Sequence, residues 1–241
     1  MHKRFALVTG ASGEIGHAIC RRLAHDGWSL YMQYNTGQAR IEALYAELQQ
    51  TYREQEFMPV RANFLDEDGA EQLAEQLFSL HAVIFAGGQA HYGMLEDTSA
   101  QTMEALWRVH VQNPMRLCAL VSSKLRQQQG AIVVIGSIWG EAGASYEVAY
   151  SAVKGAQHAF VKAYAQEVAP QIRVNAVLPG IIQTTMNGHL SDEEQAALCE
   201  DIPMQRFGEP EDVANIVAFY IDDETRYVTG QCVRVNGGWY M

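Results

Sequence analysis

Apolar runs of five to seven residues alternate with longer amphipathic stretches along almost the whole chain. The runs at 5–9, 29–34, 57–62, 82–86, 131–136, 172–178 and 231–235 are too short for buried helices and predict strands. The stretches at 15–26, 38–54, 67–79, 99–127, 150–169 and 210–222 predict helices between them. Regular strand–helix alternation implies parallel strands joined by right-handed crossovers. The expected fold is therefore α/β, with a Rossmann-like, doubly wound, parallel seven-stranded sheet. No repeat, linker or low-complexity tract divides residues 1–241, so a single domain is expected. A long irregular stretch at 179–209, with a short helical segment at 192–200, follows the sixth strand. At the carboxyl edge of a parallel sheet such a stretch is expected to serve as a substrate lid.

Composition narrows the function classes. A chain of 241 residues, 48% hydrophobic and 19% charged, is an ordinary globular mixture. The formal charge of −11 argues against nucleic acid or an anionic membrane surface as a partner, since each would be repelled. It also disfavours a broad docking face for an acidic carrier protein. The basic start Met-His-Lys-Arg precedes an apolar run of only four residues before Thr9-Gly10, which suits a first strand better than a signal peptide. No apolar run approaches the roughly 18 residues a membrane span needs. A cytoplasmic location is expected. Cys20, Cys118, Cys199 and Cys232 are widely scattered, and the histidines show no metal-ligand spacing. Free thiols and no metal are expected.

Directly after the first strand comes Thr9-Gly10-Ala11-Ser12-Gly13-Glu14-Ile15-Gly16, opening a helix. Glycines permit a tight turn and close approach of backbone to a pyrophosphate, and the helix N-terminus offers free N–H groups to the anion. In this strand–turn–helix setting the loop predicts dinucleotide binding. At the end of the second strand, where NAD enzymes place an acid for the ribose diol, stand Gln33, Tyr34, Asn35 and Thr36, with Arg40 the nearby cation. NADP(H) is therefore expected over NAD(H).

Tyr150 and Lys154 stand at i and i+4 near the start of a helix and so share one face. A phenol titrates near pH ~10, so acid–base work at neutrality needs a shift of ~3 units, about 4 kcal/mol. A neighbouring ammonium can supply part of it. Ser137 ends the fifth strand, thirteen residues before Tyr150.

With these residues in view, the whole chain resembles the short-chain dehydrogenase/reductase family. The marks are the Thr9–Gly16 loop, Ala86-Gly87 after strand four, Ser137, Tyr150 and Lys154, Pro179-Gly180 followed by Thr184, and Val235-Asn236-Gly237-Gly238. The resemblance implies that Tyr150 donates a proton to a carbonyl, Ser137 polarises it, and Lys154 holds the cofactor ribose and lowers the Tyr150 pKa. Hydride would come from the nicotinamide. It also implies cofactor contacts from Gly10, Ser12, Gly13, Glu14, Ile15, Gly16, Asn35, Asn63, Phe64, Ala86, Gly87, Tyr150, Lys154, Pro179, Gly180, Ile182 and Thr184. A homotetramer is implied, built on the 99–127 and 150–169 helices and the aromatic end Trp239-Tyr240-Met241. Departures from the pattern are Ile84-Phe85 for the usual Asn pair, Glu14 for a small residue and Asn63 for an Asp. At the usual catalytic Asn stands His110, which is taken as a catalytic candidate that preserves or extends a proton relay.

Within the family the chain resembles 3-oxoacyl-acyl-carrier-protein reductases. It is most similar to the branch that reduces the 5-aminopentanone group on elongation factor P, through His91-Tyr92-Gly93, 106–111, 137–141, 154–157 and 237–240. Trp139, Glu141 and Glu147 lie between Ser137 and Tyr150, and an aromatic wall with carboxylates suits a cationic amine better than an acyl thioester. His91 and Met186 complete the expected substrate contacts. The ketone would thus be carried on elongation factor P or, alternatively, on acyl carrier protein. A non-catalytic dinucleotide-sensing regulator is a third reading, disfavoured by the intact Ser137, Tyr150 and Lys154.

Overall fold

The computed structural model describes residues 3–185 and 191–241. Seven strands form one sheet: β1 (Phe5–Thr9), β2 (Ser29–Tyr34), β3 (Phe57–Arg61), β4 (Ala82–Phe85), β5 (Ala131–Ile135), β6 (Arg173–Pro179) and β7 (Cys232–Val235). Their order is β3-β2-β1-β4-β5-β6-β7, and every pairing is parallel. Each central strand is buried along its whole length, which is why these segments are continuously apolar rather than alternating.

Helices cover both faces. On one side α1 (Glu14–His25), α2 (Gln38–Thr51) and α9 (Pro210–Ile221) bury Ile19, Leu23, Ile41, Leu44, Val213 and Val217 against the sheet. On the other, α3 (Gly69–Ala74), α5 (Asn113–Gln127) and α7 (Val148–Val168) bury Leu73, Leu117, Val121, Leu125, Val161 and Val168. The chain leaves β1 toward β2 on one hand and returns to β4 on the other. That reversal opens a crevice at the carboxyl ends of β1 and β4, where ligands of doubly wound sheets bind.

Three details differ from the sequence expectation. The 67–79 helix is confined to Gly69–Ala74. A short helix α6 (Trp139–Ala142) follows Ser137, where none was expected. The expected helix 99–127 is α4 (Ala100–Trp107), a π turn at Arg108–Gln112, and α5. Pro114 accounts for the chemistry of that turn. It has no N–H to return to the carbonyl four residues back, so the His110 oxygen is left for another donor. Gln157 Nε2 of α7 donates to it at 2.8 Å. The irregular stretch after β6 contains α8 (Asp192–Asp201), whose Ser191 and Glu194 close a capping box. It is tied back by a bridge between Ile182 and Gly208. Among the described residues no helix is long and apolar enough to cross a membrane.

Candidate active site

A cavity of about 710 Å³ runs across the carboxyl ends of β1, β2, β3 and β4. Its lining includes Gly10, Ser12, Gly13, Glu14, Ile15, Gly16, Asn35, Asn63, Phe64, Ala86, Gly87 and Thr184, as expected from sequence, together with Arg40, Gln89 and Thr185. The glycines are needed for shape. A Cβ on Gly10 would come within 2.4 Å of Gly87 Cα, and one on Gly16 within 2.2 Å of the Gly10 oxygen. Gly10 also has φ of +64°, which L side chains rarely adopt. Gln33 also lines the cavity and anchors the loop. Buried, it accepts from Gly10 N at 2.9 Å and donates to Ala62 O at 2.7 Å. Asn35 donates to Asn63 Oδ1 at 2.9 Å, joining the loops after β2 and β3. The cradle, the α1 N-terminus and the volume of the cavity fit a dinucleotide. Pro179, Gly180 and Ile182 do not line this cavity. Backbone hydrogen bonds hold two of them, Ile138 N donating to Pro179 O at 3.2 Å and Gly180 N to Val235 O at 3.0 Å.

Ser137, Tyr150 and Lys154 are not in that lining either and form a group of their own. The Ser137 hydroxyl hydrogen-bonds the Tyr150 phenol and accepts from Trp139 N at 3.2 Å. Lys154 is buried, donates to Ile135 O at 2.9 Å, and places its ammonium nitrogen 5.4 Å from the centre of the Tyr150 ring. Burial pushes Lys154 down to about 7. The phenol itself is raised, first by burial and then by the Glu147 carboxylate, with the Ser137 hydrogen bond opposing. Lys154, which the family resemblance implies as the group that lowers Tyr150, is not among the groups that shift the phenol here. A lysine poised near neutrality carries only part of a charge.

His110 lies on the π turn, buried, its ring edge-to-face with Tyr150 at 5.8 Å. Its Nε2 sits 2.9 Å from Gln89 O and 3.2 Å from Gln89 N, in the loop after β4. Burial, and then the Lys154 charge, push it down to about 3. The neutral imidazole is therefore the favoured form near pH 7. The His110 carbonyl accepts from Gln157 Nε2 at 2.8 Å. The His110 ring thus holds the Gln89 loop and packs on Tyr150.

On the substrate side the expected residues divide. Glu147 lies close enough to Tyr150 and Tyr92 for its charge to raise both phenols. It follows Tyr146, whose φ of +71° is strained for a side-chain-bearing residue and whose carbonyl accepts from Gly93 N at 2.8 Å. His91 Nε2 lies 3.1 Å from Thr98 Oγ1, beside the same loop. Glu141 points elsewhere. Its carboxylate accepts from Arg234 Nε at 2.6 Å, a partner that competes with the expected substrate cation. Trp139 packs edge-to-face on Trp239 at 5.3 Å and Tyr240 at 5.4 Å. The carboxyl-terminal aromatics expected at a subunit contact thus build the wall beside Ser137 within the chain. Met186 lies outside the described residues. In the sequence Tyr92 and Gln157 stand only within the stretches that carry the resemblance, with no role given, and Thr185 is not singled out.

A glycine cradle at the switch point of a parallel sheet, ending at a Ser–Tyr–Lys group, defines a dinucleotide-dependent oxidoreductase. Residues 10–240 match the family described as enoyl-(acyl carrier protein) reductase. The chain belongs to this short-chain dehydrogenase/reductase family and is an NAD(P)-dependent oxidoreductase. It is 39% identical over 238 residues, 98% of each chain, to the uncharacterized oxidoreductase YmfI of Bacillus subtilis strain 168. It is 33% identical over 242 residues, again 98% of each, to the 3-oxoacyl-[acyl-carrier-protein] reductase FabG of Staphylococcus epidermidis. The crystal structure of a blue fluorescent protein from a metagenomic library, in complex with NADPH, matches with a TM-score of 0.92 and 28% identity, covering 99% of this chain and 98% of that one.

Proposed function

We propose that this chain is an NADPH-dependent ketoreductase whose substrate is the 5-aminopentanone group on elongation factor P. When bound, the dinucleotide supplies the hydride. Tyr150 gives the proton to the carbonyl oxygen, and the Ser137 hydroxyl donates a second hydrogen bond to the same oxygen. Lys154 anchors the end of the cofactor cavity and, when protonated, eases proton loss from Tyr150. NADPH is favoured over NADH because the walls after β2 present Asn35, Thr36 and Arg40 and no carboxylate. The NADPH held by the metagenomic fluorescent protein supports the same choice.

The observation that carries the substrate reading is Glu147, whose negative charge acts on both the Tyr150 and the Tyr92 phenols. A substrate amine would find a counter-charge and aromatic surface there, whereas an acyl thioester carries no cation to match. The decisive experiment offers purified protein and NADPH a ketone-modified elongation factor P and, separately, a 3-oxoacyl thioester. Mass spectrometry should show the factor gaining two hydrogens. Turnover of the thioester alone would favour the second reading, a 3-oxoacyl-carrier-protein reductase, which the FabG relative supports.

A further inference from the structure

Two charged side chains line the cofactor cavity among the described residues, Arg40 and Glu14. A cation is expected beside a ligand that carries several negative charges. A carboxylate is not. Glu14 is the first residue of α1, a helix of twelve residues, at the end where the peptide dipoles concentrate positive potential. That potential is what draws a phosphate to such a site, and the carboxylate of Glu14 offsets part of it. The side chain also reaches across the cavity to the loop after β6. Thr185 N donates to Oε1 at 3.1 Å, and Thr185 Oγ1 donates to Oε2 at 3.3 Å. Both donors belong to a residue of the cavity lining. Glu14 therefore does what a bound phosphate does: it sits at the helix N-terminus and takes up the donors of the facing wall.

We propose that Glu14 is a built-in competitor for the phosphates of the dinucleotide, setting the affinity of the cavity by standing in for the ligand's own anion. The proposal rests on reading the cavity as a dinucleotide site. A dinucleotide entering it gains the helix terminus only against the repulsion of Glu14, and reaches the Thr185 donors only after displacing the carboxylate. Glu14→Gln keeps the size and the amide oxygen that Thr185 N can address, and removes the charge. At the separations across such a cavity, in a partly hydrated medium, one like charge removed corresponds to about three- to tenfold in affinity.

The test is direct titration by NADPH and NADH fluorescence of wild type, Glu14→Gln and Glu14→Ala, at low and high ionic strength. Both variants should bind each dinucleotide about three- to tenfold tighter than wild type at low salt, and the advantage should shrink as salt screens the repulsion. Melting of the ligand-free variants near the wild-type temperature confirms that the fold is intact. Unchanged or weaker binding by Glu14→Gln would overturn the proposal and leave the carboxylate a simple clasp. Failure of all three proteins to bind either dinucleotide would instead bring down the reading of the cavity, and the proposal with it.

Discussion

Glu141 and Glu147 are separated by six positions on the same segment, yet the fold gives them opposite tasks. Glu141 is neutralised by Arg234, so Glu141→Gln should leave the KM for an amino-ketone within about twofold of wild type. Glu147 stands beside Tyr92 and Tyr150. Glu147→Gln should raise that KM roughly tenfold, about 1.4 kcal/mol, with little change for a neutral ketone of the same size. Steady-state kinetics on the two substrates separates the cases, and equal damage to both would make Glu147 structural. At the proton donor, Tyr150→Phe should leave dinucleotide titration nearly unchanged while turnover falls by ~10²–10⁴. Near-normal turnover would remove Tyr150 from the chemistry. The Ser137, Tyr150 and Lys154 group was legible in the sequence because strand end and helix start put it on one spot. The division of the two glutamates was not, since Arg234 lies 93 positions from Glu141.

At the scale of elements, the π turn is where local pattern and tertiary structure part. Apolar periodicity runs through 99–127 as if one helix spanned it, and a proline near the start of α5 gives no hint of the residue that will serve the freed carbonyl. Gln157 does so from α7, and its own Oε1 and the His110 Nδ1 are buried without a hydrogen-bond partner among the described residues. Gln157→Leu should strand the His110 carbonyl and cost about 1–3 kcal/mol, read from denaturant unfolding. Pro114→Ala restores an N–H at that point of the helix. Made in the Gln157→Leu background it should recover part of the loss, whereas simple additivity of the two changes would refute the link. The phosphate loop is the opposite case. Its glycines were visible as a motif, and the structure adds only which atoms they approach.

For the molecule as a whole, buried bases set the acid limit of stability. Burial depresses His110 to about 3 and His158 to about 4, against 6.5 in an exposed histidine. Below about pH 6.5 the unfolded chain therefore takes up protons that the folded protein refuses, so stability rises with pH from about 3–4 to 6.5 and is lost on acidification. Unfolding free energy should fall by about 2 kcal/mol or more between pH 7 and 5. A His110→Asn/His158→Asn double variant should show a much flatter profile over that range, and an unchanged slope would assign it to other groups. Assembly belongs to this scale too. Exposed Met103, Trp107, Met115 and Leu120 on α4, the π turn's neighbour, and α5 support the proposal of a homotetramer. Light scattering at micromolar concentration should give four chains, and a monomer would contradict it.

What the sequence determined by itself is everything carried by short-range pattern. Continuous apolar runs specify strands buried on both faces, the glycine spacing specifies the phosphate turn, and i, i+4 spacing puts Tyr150 and Lys154 on one side of a helix. These depend on residues a few positions apart, whose geometry the backbone dictates directly. Tertiary structure alone decided which charge meets which partner. Glu141 with Arg234, Glu14 with Thr185 and Gln157 with His110 join positions 93, 171 and 47 apart. A carboxylate looks the same in sequence whether it ends beside a guanidinium, a threonine or a phenol. Hydrogen bonds need contact within a few ångströms and salt screens charges beyond about 10 Å, so those roles exist only once the chain has folded.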